Sequence, residues 1–336
     1  MRPPAAGDLA PFLLLPLLLV AACAPRVLPA GAPMTTPRVA ADALVMPDGA
    51  RLPLRRSLPD GTPRAVVLAL HGFNDRNAAF APAEEPFAEA GIALYSYDQR
   101  GFGLAPGHGH WPGRWALVDD LATAARLVRA EHPDAPLFLM GESMGAAVIM
   151  AGLGNGRVPP PAGSILLAPA VWGWSSLPWT HAWALTAAAH TLPWLRLTGE
   201  GLDIRPTDNP AVMEALVRDP LVIKRTRVEA LYGLTNLMEA AHAAAPALDG
   251  RLLVLYGEQD ELIPAYAMRQ VVARLPGAAA DRQTLALYAE GWHLLLRDLQ
   301  GERVIRDIIA WIEAPGAPLP SGADSRAAAR VAGRDQ

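Results

Sequence analysis

Six short apolar runs, each stopped by a turn, constrain this chain more than any other feature. They are AVVLALHG (65–72), IALYSYDQRG (92–101), LFLMGES (137–143), SILLAPA (164–170), RLLVLYG (251–257) and QTLALYAE (283–290). Being apolar on both faces, each needs cover on both sides, as the central strands of a parallel sheet do. The segments between them carry apolar residues three and four apart, as in DDLATAARLVRAEHP (119–133), AYAMRQVVARLPG (265–277) and GERVIRDIIAWIE (301–313). Alternating elements of this kind predict an α/β fold with a doubly wound, mostly parallel sheet. With 336 residues, 51% of them hydrophobic, the chain can fill the core such a sheet requires.

The rhythm breaks between residues 171 and 246. That stretch is helix-like and holds five of the nine tryptophans (172, 174, 179, 183 and 194), and it separates two core strands. It reads as a helical lid inserted into a core made of residues 39–170 and 247–314. Residues 24–38, rich in Pro and Ala, read as a tether, and residues 315–336 as a disordered tail. Residues 1–23 differ again. Arg2 precedes the apolar run LAPFLLLPLLLVAA, too short to span a bilayer comfortably, and the segment ends at Cys23, the single cysteine of the chain. This pattern resembles a bacterial lipoprotein signal, in which cleavage before the cysteine exposes it for acylation. An ordinary signal peptide or an uncleaved anchor are the other readings. The lipoprotein reading puts the protein in an exported bacterial cell envelope, held to a membrane by lipid at Cys23.

A net charge of −4 gives no basic surface for nucleic acid. No P-loop occurs, and no GxGxxG follows a strand, so no nucleotide cofactor is expected. His108-Gly109-His110 lacks the carboxylates or cysteines of a metal site and reads as a surface loop.

Chemistry enters where the third run ends. Gly141-Glu142-Ser143-Met144-Gly145 is a G-x-S-x-G, set where an apolar strand meets the helix-forming AAVIMAG. Such a turn is a nucleophile elbow: small flanking residues let the backbone bend sharply and lift the Ser143 hydroxyl above the sheet. Composition alone would supply the pentapeptide pattern roughly 0.06 times in this chain, so coincidence is a poor explanation. A serine needs a base, and the base an orienting acid, in the chain order Ser, Asp or Glu, His. Asp260 and His293 each follow a strand in that order, with Glu258 an alternative acid. His71 precedes them all and reads as a brace for its loop. In the turn His71-Gly72-Phe73-Asn74, the N–H of Phe73 is set to pair with that of Met144 as an oxyanion hole.

Together these residues resemble the α/β-hydrolase fold, and more closely its monoacylglycerol lipase and lysophospholipase family, the S33-like hydrolases. The resemblance rests on HGFND (71–75), YDQRGFG (97–103), GESMG (141–145), GEQDELIP (257–264), EGWH (290–293) and RDPLVIKRTR (218–227). It covers roughly residues 40–313. Two features depart from the family pattern: Phe102 stands where a histidine is common, and a second histidine shortly after HG is missing. The resemblance implies a catalytic triad of Ser143, Asp260 and His293 with oxyanion donors Phe73 and Met144. It also implies hydrolysis of esters of single-chain lipids, lysophospholipid or monoacylglycerol, with no cofactor. Carboxylesterase, thioesterase or prolyl-type peptidase activity on the same scaffold is the alternative, followed by a non-catalytic lipid-binding envelope lipoprotein.

Overall fold

A computed structural model describes residues 24–199, 201, 203–276 and 282–332 of the chain. The signal segment and Cys23 lie outside the described residues. The strands are β1 (Arg38–Val39), β2 (Ala43–Val45), β3 (Arg51–Ser57), β4 (Ala65–Leu70), β5 (Ile92–Tyr97), β6 (Leu137–Glu142), β7 (Gly163–Leu167), β8 (Arg196–Thr198), β9 (Arg225–Arg227), β10 (Leu252–Gly257) and β11 (Gln283–Tyr288). The helices are α1 (Ala81–Glu89), α2 (Arg114–Glu131), α3 (Met144–Gly154), α4 (Trp179–Thr191), α5 (Pro210–Arg218), α6 (Val228–Ala244), α7 (Ala265–Val272), α8 (Gly301–Glu313) and α9 (Ala323–Ala332). All six apolar runs of the sequence supply strands.

The main sheet runs β1-β2-β3-β5-β4-β6-β7-β10-β11. From β5 to β11 every pairing is parallel, while β1 to β3 join antiparallel at one edge. Its apolar strands serve two cores. Val66, Leu68 and Leu70 of β4 face a cluster with Leu117, Val148 and Leu237, from α2, α3 and α6. Ala65, Val67 and Ala69 of the same strand face Phe80, Phe87, Ile305 and Trp311. Burial on both faces is why no polar alternation marks these strands. The doubly wound α/β architecture expected from the sequence is therefore present: a mostly parallel sheet with helices on both sides.

Strand β4 lies beside both β5 and β6, so chain direction across the sheet reverses there. In open α/β sheets, ligands bind beyond the strand C-termini at such a switch point. The turns after β4 and β6 carry HGFN and GESMG.

Three segments differ from expectation. Helix α6 belongs to the core: it packs along α3 and buries Leu237, Ala241 and Ala244. The lid-like part of the insertion therefore ends near residue 227, short of 246. Residues 24–37 form no regular element but lie fixed along the domain. Leu28 N–H donates to Trp111 O at 2.8 Å, Gly31 N–H to Asp48 Oδ2 at 2.9 Å and Met34 N–H to Pro47 O at 2.8 Å. The Pro-rich composition hides this because the bonds are backbone donors meeting distant acceptors. The tail expected to be disordered carries α9 against β11, with Leu319, Ala323 and Ala327 buried. Its apolar face is mostly alanine, small enough to approach the edge strand closely and too small to register as periodicity. Ser321 N–H bonds Asp307 Oδ1 at 2.9 Å, and Arg330 pairs with Glu258 at 2.9 Å.

Candidate active site

Ser143 follows β6 and is the N-cap of α3, with φ 52° and ψ −111°, a backbone region that non-glycine residues avoid. Tertiary bonds hold it there. Its N–H donates to Leu167 O at 2.9 Å, and its carbonyl accepts from Ala170 N–H and Ala147 N–H, each at 3.1 Å. The flanking glycines are dictated by space. A Cβ on Gly145 would stand 2.0 Å from Leu70 O, and one on Gly141 2.4 Å from Ala146 N. Helix α3 can begin directly over the ends of β4 and β6 only because both positions lack side chains. Ser143 is half-buried, while Met144 behind it is fully buried.

The turns after β10 and β11 bring Asp260 and His293 together. His293 Nδ1 and Asp260 Oδ2 lie 2.8 Å apart, and both side chains are buried. The other Asp260 oxygen accepts from Leu262 N–H at 2.8 Å and Ile263 N–H at 3.0 Å. Those bonds fix the carboxylate before it meets the ring. Glu258, the alternative acid, instead pairs with Arg326 and Arg330. Burial disfavours charge on His293, but the carboxylates of Asp260 and Glu142 outweigh it and raise the pKa above the ordinary 6.5. The ring is thus poised to hold a proton taken from a nucleophile. Among the described residues no hydrogen bond joins the Ser143 hydroxyl to the His293 ring; in a ligand-free site such bonds are often long and close when substrate arrives.

His71 follows β4 and has no solvent exposure. Its Nε2 accepts from Gln99 N–H at 2.9 Å, so Nδ1 carries the hydrogen and donates to Gly72 O at 2.8 Å. Burial lowers its pKa, keeping it neutral. It braces the loop. Phe102, the departure noted in the sequence, packs edge-on against His71 and Phe73, with ring centroids 5.8 and 5.5 Å away. Phe73 is therefore wedged in place, and neither its N–H nor that of Met144 donates to another backbone group among the described turns and loops. Donors on the turn after β4 and at the start of α3 suit a developing oxyanion. His108 bonds Gly103 O at 2.7 Å, within its own loop.

Several contacts were not legible from the sequence. Asn74, in the left-handed region with φ 64°, donates from Nδ2 to Thr226 Oγ1 at 2.6 Å and accepts from Ile223 N–H at 2.9 Å. Arg76 pairs with Asp219 at 2.6 Å. The segment RDPLVIKRTR thereby clasps the Phe73 loop. A buried ion-pair cluster of Asp75, Glu142 and Arg297 also lies beside the triad candidates. Three charged residues within five positions of HG, GxSxG and the base histidine were its one available signal.

Residues 61–300 match the hydrolase family described as serine aminopeptidase, S33. A monoacylglycerol lipase of Mycolicibacterium smegmatis is 29% identical over 263 residues, which span 76% of this chain and 90% of that protein. A human monoglyceride lipase is 25% identical over 304 residues, covering 84% and 94% of the two chains. A solved Saccharomyces cerevisiae monoglyceride lipase, in complex with a substrate analogue, superposes with a TM-score of 0.67 over 86% of this chain and 98% of its own, at 17% identity. At that identity the structural match establishes the shared fold.

Proposed function

The chain belongs to the serine aminopeptidase S33 family of α/β-hydrolases, and from that membership we propose that it hydrolyses esters of single-chain lipids, monoacylglycerol foremost, through an acyl-enzyme on Ser143. The observation that carries this reading is the buried His293–Asp260 pair at 2.8 Å, set in the required chain order after an elbow serine. The curated relatives named as monoacylglycerol or monoglyceride lipases support the substrate class.

In the proposed sequence His293 Nε2 removes the Ser143 proton as Oγ attacks the ester carbonyl carbon. The negative charge that builds on the carbonyl oxygen is met by the N–H groups of Phe73 and Met144. Asp260 holds the ring in the tautomer whose Nε2 is free, and stabilises the imidazolium. The imidazolium then protonates the departing glycerol oxygen as the C–O bond breaks. Water, deprotonated by the same ring, attacks the acyl carbon; fatty acid leaves and Ser143 recovers its hydrogen.

A lipid substrate also accounts for the lid surface. Trp179, Trp183 and Trp194 are 80%, 71% and 53% exposed, with Leu192, Leu195 and Leu197 exposed beside them in the chain. Exposed aromatic and aliphatic side chains in one segment favour contact with a lipid boundary. Acylation at Cys23 would serve the same end. Arg26 N–H bonds Glu229 in the first turn of α6, and Arg26 stands three positions after Cys23, about 10 Å of chain at most. An envelope lipoprotein anchored there would hold its lid near the membrane.

The test is a substrate panel run on purified protein: monoacylglycerols and lysophospholipids of graded chain length, p-nitrophenyl esters and proline amides. Turnover highest on long-chain monoacylglycerol is expected. Preferential cleavage of proline amides would replace lipase with peptidase activity. Mass spectrometry of the mature N-terminus reads acylation of Cys23 directly.

A further inference from the structure

Arg297 lies four residues after His293 and is almost wholly buried. One of its nitrogens, Nη2, reaches Asp75 Oδ2 at 2.7 Å and Glu142 Oε1 at 2.6 Å. Asp75 is two residues beyond Phe73 in the oxyanion loop. Glu142 is the residue before Ser143. The backbone carbonyl of Arg297 also accepts from Asn209 Nδ2 at 3.2 Å, so a lid residue rests on the same point. A single guanidinium thus touches the segments that carry the nucleophile, one oxyanion donor and the base.

We propose that Arg297 is a positioning residue for catalysis, an electrostatic clamp that holds the oxyanion loop, the serine elbow and the histidine turn in register. Burying one cation between two carboxylates is costly, and replacing such a cluster by apolar side chains often leaves stability unchanged or improves it. Folding alone therefore gives little reason for it here. Its placement does. Each partner is within two residues of a group proposed to act on substrate, and misplacement by 1 Å in such a site can cost about 10²-fold in rate. The cluster is also incompletely paired: Glu142 Oε2 and Arg297 Nε are buried without a partner among the described residues. Burial pushes the Glu142 pKa up, and the Arg297 guanidinium beside it pulls it back down. The charged groups that act on the His293 ring are Asp260 and Glu142, which favour the imidazolium, and Arg297, which opposes it. Asp298, next in the chain, accepts Trp292 N–H at 2.7 Å and holds the turn from its other side.

This inference rests on the triad reading above, and one experiment separates the two. The labelling rate of Ser143 by a fluorophosphonate, and kcat and KM on a soluble short-chain ester, are measured against pH for wild type, Arg297→Met, Arg297→Lys and Glu142→Gln. Circular dichroism checks folding, and Ser143→Ala is the labelling control. Arg297→Met should label about 10²-fold more slowly and lose kcat with KM within about threefold. Because both contacts come from one nitrogen, a lysine ammonium can replace it, so Arg297→Lys should recover to within about tenfold of wild type. Glu142→Gln keeps an acceptor but removes a charge that favours the imidazolium. Its acid limb should move to lower pH than that of wild type.

Folded Arg297→Met with wild-type rates would overturn the clamp, as would Arg297→Lys no faster than Arg297→Met. Should Arg297→Met fail to fold, Glu142→Gln decides: a profile superimposable on wild type overturns the proposal. A wild-type protein left unlabelled at Ser143 defeats the triad reading and the clamp together, whereas labelled wild type with unaffected variants defeats the clamp alone.

Discussion

Helices α3 and α4 are both rich in alanine and large apolar residues, yet the protein treats them oppositely. Of the 11 residues of α3, every one from Met144 to Gly152 is buried, whereas α4 buries only Ala189 among its 13. The first is gripped by β4, α2 and α6 and has no freedom to move without disturbing Ser143. The second packs against α6 with its tryptophans toward solvent. The contrast separates two tasks: a rigid apolar helix that carries the proposed nucleophile, and a helix whose Trp179 and Trp183 face solvent. Changes near α3 should damage turnover of every substrate. Changes in α4 should matter only when the substrate is part of a lipid phase.

The largest expected effect is at the elbow. Ser143→Ala should lower kcat on both soluble esters and dispersed lipid by about 10⁴-fold or more. Its melting temperature should stay close to wild type, since the hydroxyl carries no bond of the core; residual turnover near wild type would sever chemistry from α3. Asp260→Asn should cost on the order of 10⁴-fold, because the amide favours the wrong ring tautomer. The pH profile adds a check with a definite sign. His293 must be neutral to accept a proton, and its pKa lies above 6.5, so kcat/KM should fall as pH drops through that value. Removing the Asp260 charge lowers the ring pKa, so the weak activity of Asp260→Asn should persist to lower pH than the wild-type limb allows.

A stability effect comes next. Gly145→Ala places a methyl 2.0 Å from Leu70 O, where neither strand nor helix can yield easily. Overpacking of this kind costs roughly 1–3 kcal/mol, seen as a lower urea midpoint. An unchanged midpoint would show that α3 is less firmly seated than its burial implies.

How much of this the chain declared beforehand differs between the two regions for the same physical reason. The six strands, the elbow and the order Ser143, Asp260, His293 follow from local patterns, because a buried parallel strand must be apolar throughout and a strained turn must have small neighbours. Helix α6 reads as lid in the sequence because its pattern matches that of any amphipathic helix; only its seat on α3 distinguishes it. Helix α9 escaped notice because Ala323 and Ala327 bury little area individually, and the fixed path of residues 24–37 because backbone donors leave no trace in composition. The Asp75–Glu142–Arg297 cluster joins positions far apart in the chain, so it could be found only after the loops had been brought together.

The smallest effect tests the other half of the comparison. Trp179 and Trp183 are mostly solvent-exposed, so changing both to serine removes little that the folded domain uses. The double variant should melt within about 1 °C of wild type, as expected for surface changes within ±0.5 kcal/mol. Its kcat and KM on a soluble short-chain ester should likewise be unchanged. On vesicles containing long-chain monoacylglycerol, the apparent KM should rise several-fold to about tenfold, because each indole contributes an estimated 1–2 kcal/mol of apolar transfer to the bilayer only when it is buried there. Equal losses on soluble and vesicle substrates would mean that these side chains shape the acyl site itself. No loss on either would leave α4 as an apolar surface without a lipid role, and the division of labour between α3 and α4 would then rest on the elbow alone.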